Sequence, residues 1–146
     1  LRALDDTRLI DEASGWYDQG GGDVDSRHNY FYPLRIRPGR RTVALSEYGG
    51  IAWPMPGHEP PGKTYGYGTA KDKADLTKRY KMLQWKTILP QLGRGLSALV
   101  YTQLTDVEDE VNGLFTYDRA ALKPEAAAVR SCNAALAAEF AKVTAK

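Results

Sequence analysis

Residues 42–50 read Thr-Val-Ala-Leu-Ser-Glu-Tyr-Gly-Gly, and this stretch gives the clearest indication of the fold class. Its short apolar beginning is typical of a strand that is buried on both faces, as the strands of a parallel sheet are. Glu47 ends the predicted strand. The two glycines that follow allow the backbone to turn away sharply, so we expect the Glu47 carboxylate to project from the edge of the sheet.

The rest of the chain alternates predicted strands with predicted helices. Three further stretches predict strands: residues 7–13, 24–32 and 96–101. Apolar residues at helical spacing predict a helix over residues 71–89 that Pro90 stops, and an alanine-rich helix over residues 123–142. This alternation predicts an α/β fold with a parallel sheet, formed by residues 1–146 as a single unit. Its four strand units fit either half of a (β/α)8 barrel or a small open sheet.

Composition excludes several classes of protein. With 146 residues, of which 42% are hydrophobic, the chain can bury a core, which excludes wholesale disorder. A net charge of +2 argues against a nucleic-acid partner. Cys132 is the only cysteine, so no internal disulfide or cysteine-based zinc site can form. No apolar run is long enough to span a membrane, and because the first residues resemble mid-chain sequence we expect a longer parent protein.

Residues 57–64, Gly-His-Glu-Pro-Pro-Gly-Lys-Thr, match the pattern of a phosphate-binding loop. Such a loop works through backbone N–H groups and through the helix that follows it. Two of these positions are prolines, which have no N–H, and neither a strand before nor a helix after the segment is predicted. Nucleotide binding, with Asp106 as the magnesium ligand, is therefore not favoured.

Polar and aromatic residues lie at or just after the carboxyl ends of the predicted strands. They are Trp16, His28, Tyr30, Glu47, Gln103 and Asp106. In a (β/α)8 barrel this edge holds the active site, and a polar pocket with aromatic walls is typical of sugar binding. The long proline-rich loop over residues 51–69 adds Trp53. Alternatively, Glu47 is a solvated or capping residue, and Trp16 and Trp53 are ordinary core residues.

Four motifs resemble, in order, the catalytic barrel of glycoside hydrolase family 2, the β-galactosidase, β-glucuronidase and β-mannosidase family. They are Asp6-x-Arg8-Leu-Ile-Asp11-x-Ala13-Ser14-Gly15-Trp16, Asp25-x-x-His28-x-Tyr30, Ser46-Glu47-Tyr48-Gly49-Gly50 and Gln103-Leu-Thr105-Asp106-Val-Glu108-Asp-Glu110-x-Asn112-Gly113-Leu114. The resemblance implies that the chain is the second half of the barrel, strands five to eight. It also implies that Glu47 is the nucleophile and that Tyr30 orients it.

The resemblance further implies hydrolysis of terminal β-glycosidic bonds by a retaining double displacement, without metal or other cofactor. For the carbohydrate substrate, we expect Trp16 and Trp53 to offer apolar faces. His28, Gln103 and Asp106 would offer hydrogen bonds to the sugar hydroxyls. The shared motifs do not distinguish which sugar is cleaved.

The second catalytic carboxylate of the family is absent from this sequence. In the family it is the glutamate of an Asn-Glu pair at the end of strand four, and no Asn-Glu pair occurs in the chain. We therefore expect the isolated chain to be inactive, and to associate with the missing N-terminal half or with a second copy. The alternative is a non-catalytic carbohydrate-binding or interaction fragment.

Overall fold

Three parallel strands form the sheet of the protein in the order β1–β2–β3: β1 (Val24–Asn29), β2 (Thr42–Gly49) and β3 (Leu96–Thr102). The structure is a computed structural model that describes residues 1–12, 15–31 and 33–145. The predicted α/β fold with a parallel sheet is confirmed. Among the described residues the sheet is open, because no strand links the outer edge of β1 to that of β3.

The segment predicted as the first strand lies beside β1 but forms no strand over residues 7–12, so this prediction is wrong there. Ile10 O accepts a hydrogen bond from Asp23 N at 2.8 Å, and Gly15 O accepts one from His28 N at 2.9 Å. The N–H of Ile10 donates a hydrogen bond to the Asp23 carboxylate at 2.8 Å. A side chain therefore takes the place of the backbone carbonyl that would accept this bond in a sheet. Ala13 and Tyr32, at the ends of two predicted strands, lie outside the described residues.

The first predicted helix is continuous past Pro90. Helix α1 (Lys73–Met82) leads through a π-helical segment (Leu83–Ile88) into α2 (Leu89–Leu92). The expected stop at Pro90 is wrong: the π-helical segment, at whose end Leu89 N–H bonds to Gln84 O, interrupts the α-helical hydrogen-bond pattern just before the proline, and the helical conformation continues to Leu92. The alanine-rich helix α3 (Ala126–Thr144) begins three residues later than predicted. No helix in the described ranges is long and apolar enough to cross a membrane.

One face of the sheet packs against the helices and holds the core. Its members are buried apolar side chains from strands, helices and the β1–β2 connection: Leu34, Ile36, Val43, Leu45, Tyr48, Leu76, Leu83, Ile88, Leu92 and Leu96. Leu34 and Ile36 come from the connection between β1 and β2, whose described residues, 30–31 and 33–41, form no helix. This core fixes the position of β2, whose last residues carry Glu47.

The opposite face of the sheet carries small side chains. The strand register places Ser26 on β1, Ala44 on β2 and Ala98 on β3 in neighbouring positions. Ser26 Oγ donates to Ser46 Oγ at 2.6 Å across this face. Ala98 is exposed, and Val100, two residues further along β3, is 56% exposed. This face of the sheet therefore has no full apolar layer over it.

Candidate active site at the ends of the strands

Glu47, near the carboxyl end of β2, is the centre of a cluster of polar side chains. Tyr30 Oη donates a hydrogen bond to Glu47 Oε2 at 2.5 Å. His28 Nδ1 lies 3.2 Å from the same oxygen. The β1–β2 register shifts between Arg27 and His28, which puts His28 opposite Glu47. The structure thus brings together His28 and Tyr30, predicted at the end of one strand, and Glu47, predicted at the end of the next.

Tyr30 is suited to act as a hydrogen-bond donor. Burial raises the pKa of its hydroxyl above the usual value, and the hydrogen bond to Glu47 raises it further. Tyr30 therefore keeps its proton at neutral pH. Its hydrogen bond orients the Glu47 carboxylate, a group of the type that can act as a nucleophile.

His28 is held in a tight pocket beside Glu47. Its side chain is 9% exposed. Its Nδ1 approaches Glu47 without the geometry of a hydrogen bond, so this nitrogen has no hydrogen-bond partner among the described residues. Gly15 has a φ of +88° and lies so close that a Cβ there would be 2.0 Å from His28 Cδ2. Only a glycine fits at that position.

Trp16 contacts this cluster through its indole ring. The ring lies edge-on to His28, with centroids 5.4 Å apart, and 6.3 Å from the ring of Tyr30. Trp16 is 49% exposed, which favours the predicted binding role over core packing. The exposed indole therefore presents an apolar face to solvent beside His28 and Tyr30.

Tyr67 was not assigned to the site from the sequence. Its ring stacks on Tyr30, with centroids 3.8 Å apart and planes 6° from parallel. Gly50, with a φ of +61°, allows this, because a Cβ there would lie 2.7 Å from the Tyr67 ring and 2.8 Å from that of Tyr30. The loop over residues 51–69 returns to the end of β2, where Tyr67 N donates to Gly50 O at 2.8 Å. The aromatic residues at the end of this loop were the signal that could have identified Tyr67.

A second polar group follows β3. Gln103 Nε2 donates to Asn112 Oδ1 at 2.7 Å and to Glu110 Oε2 at 3.2 Å, and Asn112 Nδ2 donates to the same Glu110 oxygen at 2.9 Å. Gln103 was predicted to bind sugar hydroxyls. Its side-chain N–H groups instead donate to Asn112 and Glu110 within this network. Glu110 and Asn112 were missed because their contacts depend on how the chain folds back after β3.

Asp106 has a different environment from the one predicted. It is 4% exposed, and its Oδ1 accepts hydrogen bonds from Lys123 Nζ at 2.7 Å and from Gly113 N at 2.7 Å. Burial raises the pKa of Asp106 and lowers that of Lys123, although the ion pair between them opposes both shifts. These contacts favour a structural role for Asp106 over the predicted contact with a sugar hydroxyl.

Lys123 joins three segments of the chain. Besides Asp106, its ammonium group donates to Trp53 O at 3.0 Å and to Val111 O at 2.9 Å, so all three N–H bonds are used. The Trp53 ring is partly buried and packs against the core. The packing alternative for Trp53 is therefore favoured over the predicted sugar contact.

The segment that resembles a phosphate-binding loop does not have the structure of one. After residues 57–64 the next helix begins only at Lys73. His58 Nδ1 lies 2.8 Å from Asp118 Oδ2, so this side chain ties the loop to a later turn. In the described part of the chain, no group of three or more His, Cys, Asp or Glu side chains could hold a metal ion.

No protein-family model matches the sequence, and a search of curated proteins finds no match. The fold and the cluster define a small α/β protein with a three-stranded parallel sheet and a carboxylate, a tyrosine and a histidine together at one edge.

Proposed function

We propose that this chain is the second half of a glycoside hydrolase family 2-like (β/α)8 barrel and that it supplies the nucleophile of a retaining β-glycosidase. The observation that carries the proposal is the Glu47 carboxylate, which receives the Tyr30 hydrogen bond at 2.5 Å at the carboxyl end of a parallel strand. The motifs of the sequence support it, because they resemble those of the family in type and order.

The proposed mechanism has two displacements. Glu47 attacks the anomeric carbon, and the bond to the leaving oxygen breaks as a second carboxylate protonates that oxygen. The glycosyl ester on Glu47 is then hydrolysed by water, which the second carboxylate deprotonates, so the sugar keeps its configuration. The second carboxylate would come from the Asn-Glu pair of the other half of the barrel, since this sequence has no such pair.

The surroundings of the sheet support the half-barrel. Ile10 O accepts a hydrogen bond from Asp23 N, directly before β1, and Gly15 O accepts one from His28 N within β1, so these two residues lie along the outer edge of β1, where a preceding strand would pair. Ala98 and Val100 lie on the face that would be the interior of a barrel, where side chains of opposite strands form filled layers. The described residues between β1 and β2 form no helix, which is a departure from the regular barrel pattern.

The second candidate function is carbohydrate binding without catalysis. It is favoured by the half-exposed Trp16 ring beside His28, which offers a surface for a sugar whether or not Glu47 reacts. It requires no second carboxylate. The two candidates differ in whether a bond is cleaved.

The test is hydrolysis of aryl β-glycosides by the longer protein that contains this chain, followed by NMR of the products. We expect the β-anomer to form first and to convert slowly to the equilibrium mixture, because double displacement retains configuration. First formation of the α-anomer would contradict the mechanism. Sugar binding without hydrolysis would support the second candidate.

The isolated 146-residue chain is expected to self-associate and to leave aryl β-glycosides intact. The edge of β3 and the face around Val100 are apolar and, in a barrel, would be covered by other strands. Light scattering at micromolar concentration should therefore show species larger than a monomer. Val100→Lys should shift the distribution towards monomer, whereas Tyr17→Lys, at an exposed residue outside the sheet, should not. A well-folded monomer of the unmodified chain would contradict this expectation.

A further inference from the structure

A cavity of about 430 Å³ lies between the end of β2 and helix α1. The stacked residues Tyr30 and Tyr67 line one part of it, together with Gly49 at the end of β2 and Ile51 shortly after. Glu47 does not line this cavity. It is therefore a separate site from the Glu47 cluster, although Tyr30 belongs to both.

One face of α1 and of the π-helical segment after it forms the other side of the cavity. Four lining residues at spacings of three and four share this face: Arg79, Met82, Leu83 and Lys86. Leu83 and Lys86 belong to the π-helical segment, and such segments occur frequently at functional sites. Met82 is 54% exposed, so apolar surface in the lining is accessible from outside.

The size and the walls of the cavity suit a small organic molecule. Sites for such molecules typically have volumes of about 300–1,000 Å³, apolar and aromatic walls, and a few polar groups that orient the ligand. Here the apolar and aromatic surface comes from Tyr30, Tyr67, Ile51, Met82 and Leu83. Because aromatic rings pack favourably against other rings, stacked or edge to face, the tyrosine pair favours an aromatic occupant.

The charged groups that line the cavity are both cationic. Arg79 is paired with the Asp75 carboxylate at 2.9 Å, which offsets its charge. Lys86 is exposed and forms no ion pair with a carboxylate in the described part of the chain. No described aspartate or glutamate lines the cavity. An anionic group on the occupant would therefore be attracted to Lys86, without a competing carboxylate in the lining.

We infer that this cavity binds a small aromatic carboxylate. The ring of the ligand packs against Tyr30 and Tyr67, and its carboxylate pairs with the Lys86 ammonium group. Arg79 adds positive potential while it keeps its contact with Asp75. This site does not depend on whether Glu47 reacts, so it goes beyond the proposed glycosidase activity.

Isothermal titration calorimetry of the longer protein with naphthoate, the uncharged naphthamide and acetate tests the inference. We expect naphthoate to bind at least about tenfold more tightly than naphthamide, and acetate to show no binding. Lys86→Gln should weaken naphthoate binding about tenfold and leave naphthamide binding unchanged. The matched control is Lys78→Gln, at an exposed lysine of α1 outside this cavity, which should change neither affinity.

A further variant shows where the aromatic probes bind. Thr87 also lines the cavity, so Thr87→Trp should fill the space and abolish binding of both probes. If this variant does not fold, Lys86→Gln still decides, because it changes an exposed side chain and its melting temperature should stay unchanged.

Four results would overturn the inference: no binding of naphthoate, equal affinity for naphthoate and naphthamide, binding of acetate as tight as that of naphthoate, or an unchanged naphthoate affinity in Lys86→Gln. Binding of both aromatic probes to a folded Thr87→Trp protein would contradict it as well, because the probes would then lie elsewhere. None of these results bears on the role of Glu47.

Discussion

Glu47→Gln is expected to lower the turnover of aryl β-glycosides by the longer protein by at least about 10⁴-fold, because the amide cannot form the glycosyl ester. The side chain of Glu47 is 42% exposed, so the substitution should change the melting temperature little. A large loss of activity in a protein of unchanged stability is therefore the expected result. Turnover and thermal unfolding of the same preparation provide the measurement.

Two further variants provide a comparison for the activity loss expected of Glu47→Gln. Tyr30→Phe removes one hydrogen bond to the Glu47 carboxylate, so we expect a smaller loss of about ten- to a hundredfold. Glu108→Gln, at an exposed glutamate, should have no effect. Turnover that persists in Glu47→Gln would contradict the assignment and direct attention to Glu110 as the reacting carboxylate.

Lys123→Met is expected to lower the free energy of unfolding by about 3–5 kcal/mol, since it leaves a buried carboxylate without its cation. Asp106 would keep its hydrogen bond from Gly113, but the carbonyl oxygens of Trp53 and Val111 would each lose a donor. The three segments that meet at Lys123 would lose their common link. Denaturant unfolding of the variant and of the unmodified chain measures the difference.

The pH dependence of Lys123→Met separates charge from packing. A buried carboxylate without a cation has a pKa in the folded protein that is above its unfolded value. The protonated carboxyl group therefore contributes its full stability at low pH, and this contribution is lost as pH rises through the folded pKa. The deficit of the variant should therefore shrink from about pH 7 to about pH 5. The double variant with Asp106→Asn, which removes the charge, should recover part of the stability at neutral pH. A deficit below about 1 kcal/mol would show that the ion pair matters little.

The parts of the fold that could be predicted are those that depend on local pattern. Short apolar runs predicted β2 and β3, and apolar residues at helical spacing predicted the helix over residues 71–89. Each pattern follows from the regular period of the backbone in that element. Parallel strands bring their carboxyl ends to one edge, so the meeting of His28, Tyr30 and Glu47 followed from their positions near the carboxyl ends of neighbouring strands.

The parts that could not be predicted depend on contacts between distant segments. Whether residues 7–12 pair as a strand depended on the Asp23 carboxylate, which takes the N–H of Ile10. Asp106 follows a strand as a site residue would, but Lys123 binds it from 17 positions further along the chain. Tyr67 and Glu110 reach the site through loops whose path has no periodic signal.

The central claim is that Glu47 forms the covalent intermediate, and trapping tests it most directly. The longer protein is incubated with a 2-deoxy-2-fluoro β-glycoside that has a good leaving group, then digested, and its peptides are sequenced by mass spectrometry. The fluorine slows hydrolysis of the ester, so the sugar should remain on the peptide that contains Glu47, at Glu47 itself. A label on Glu110 or on any other residue, or inactivation without a label, would contradict the account.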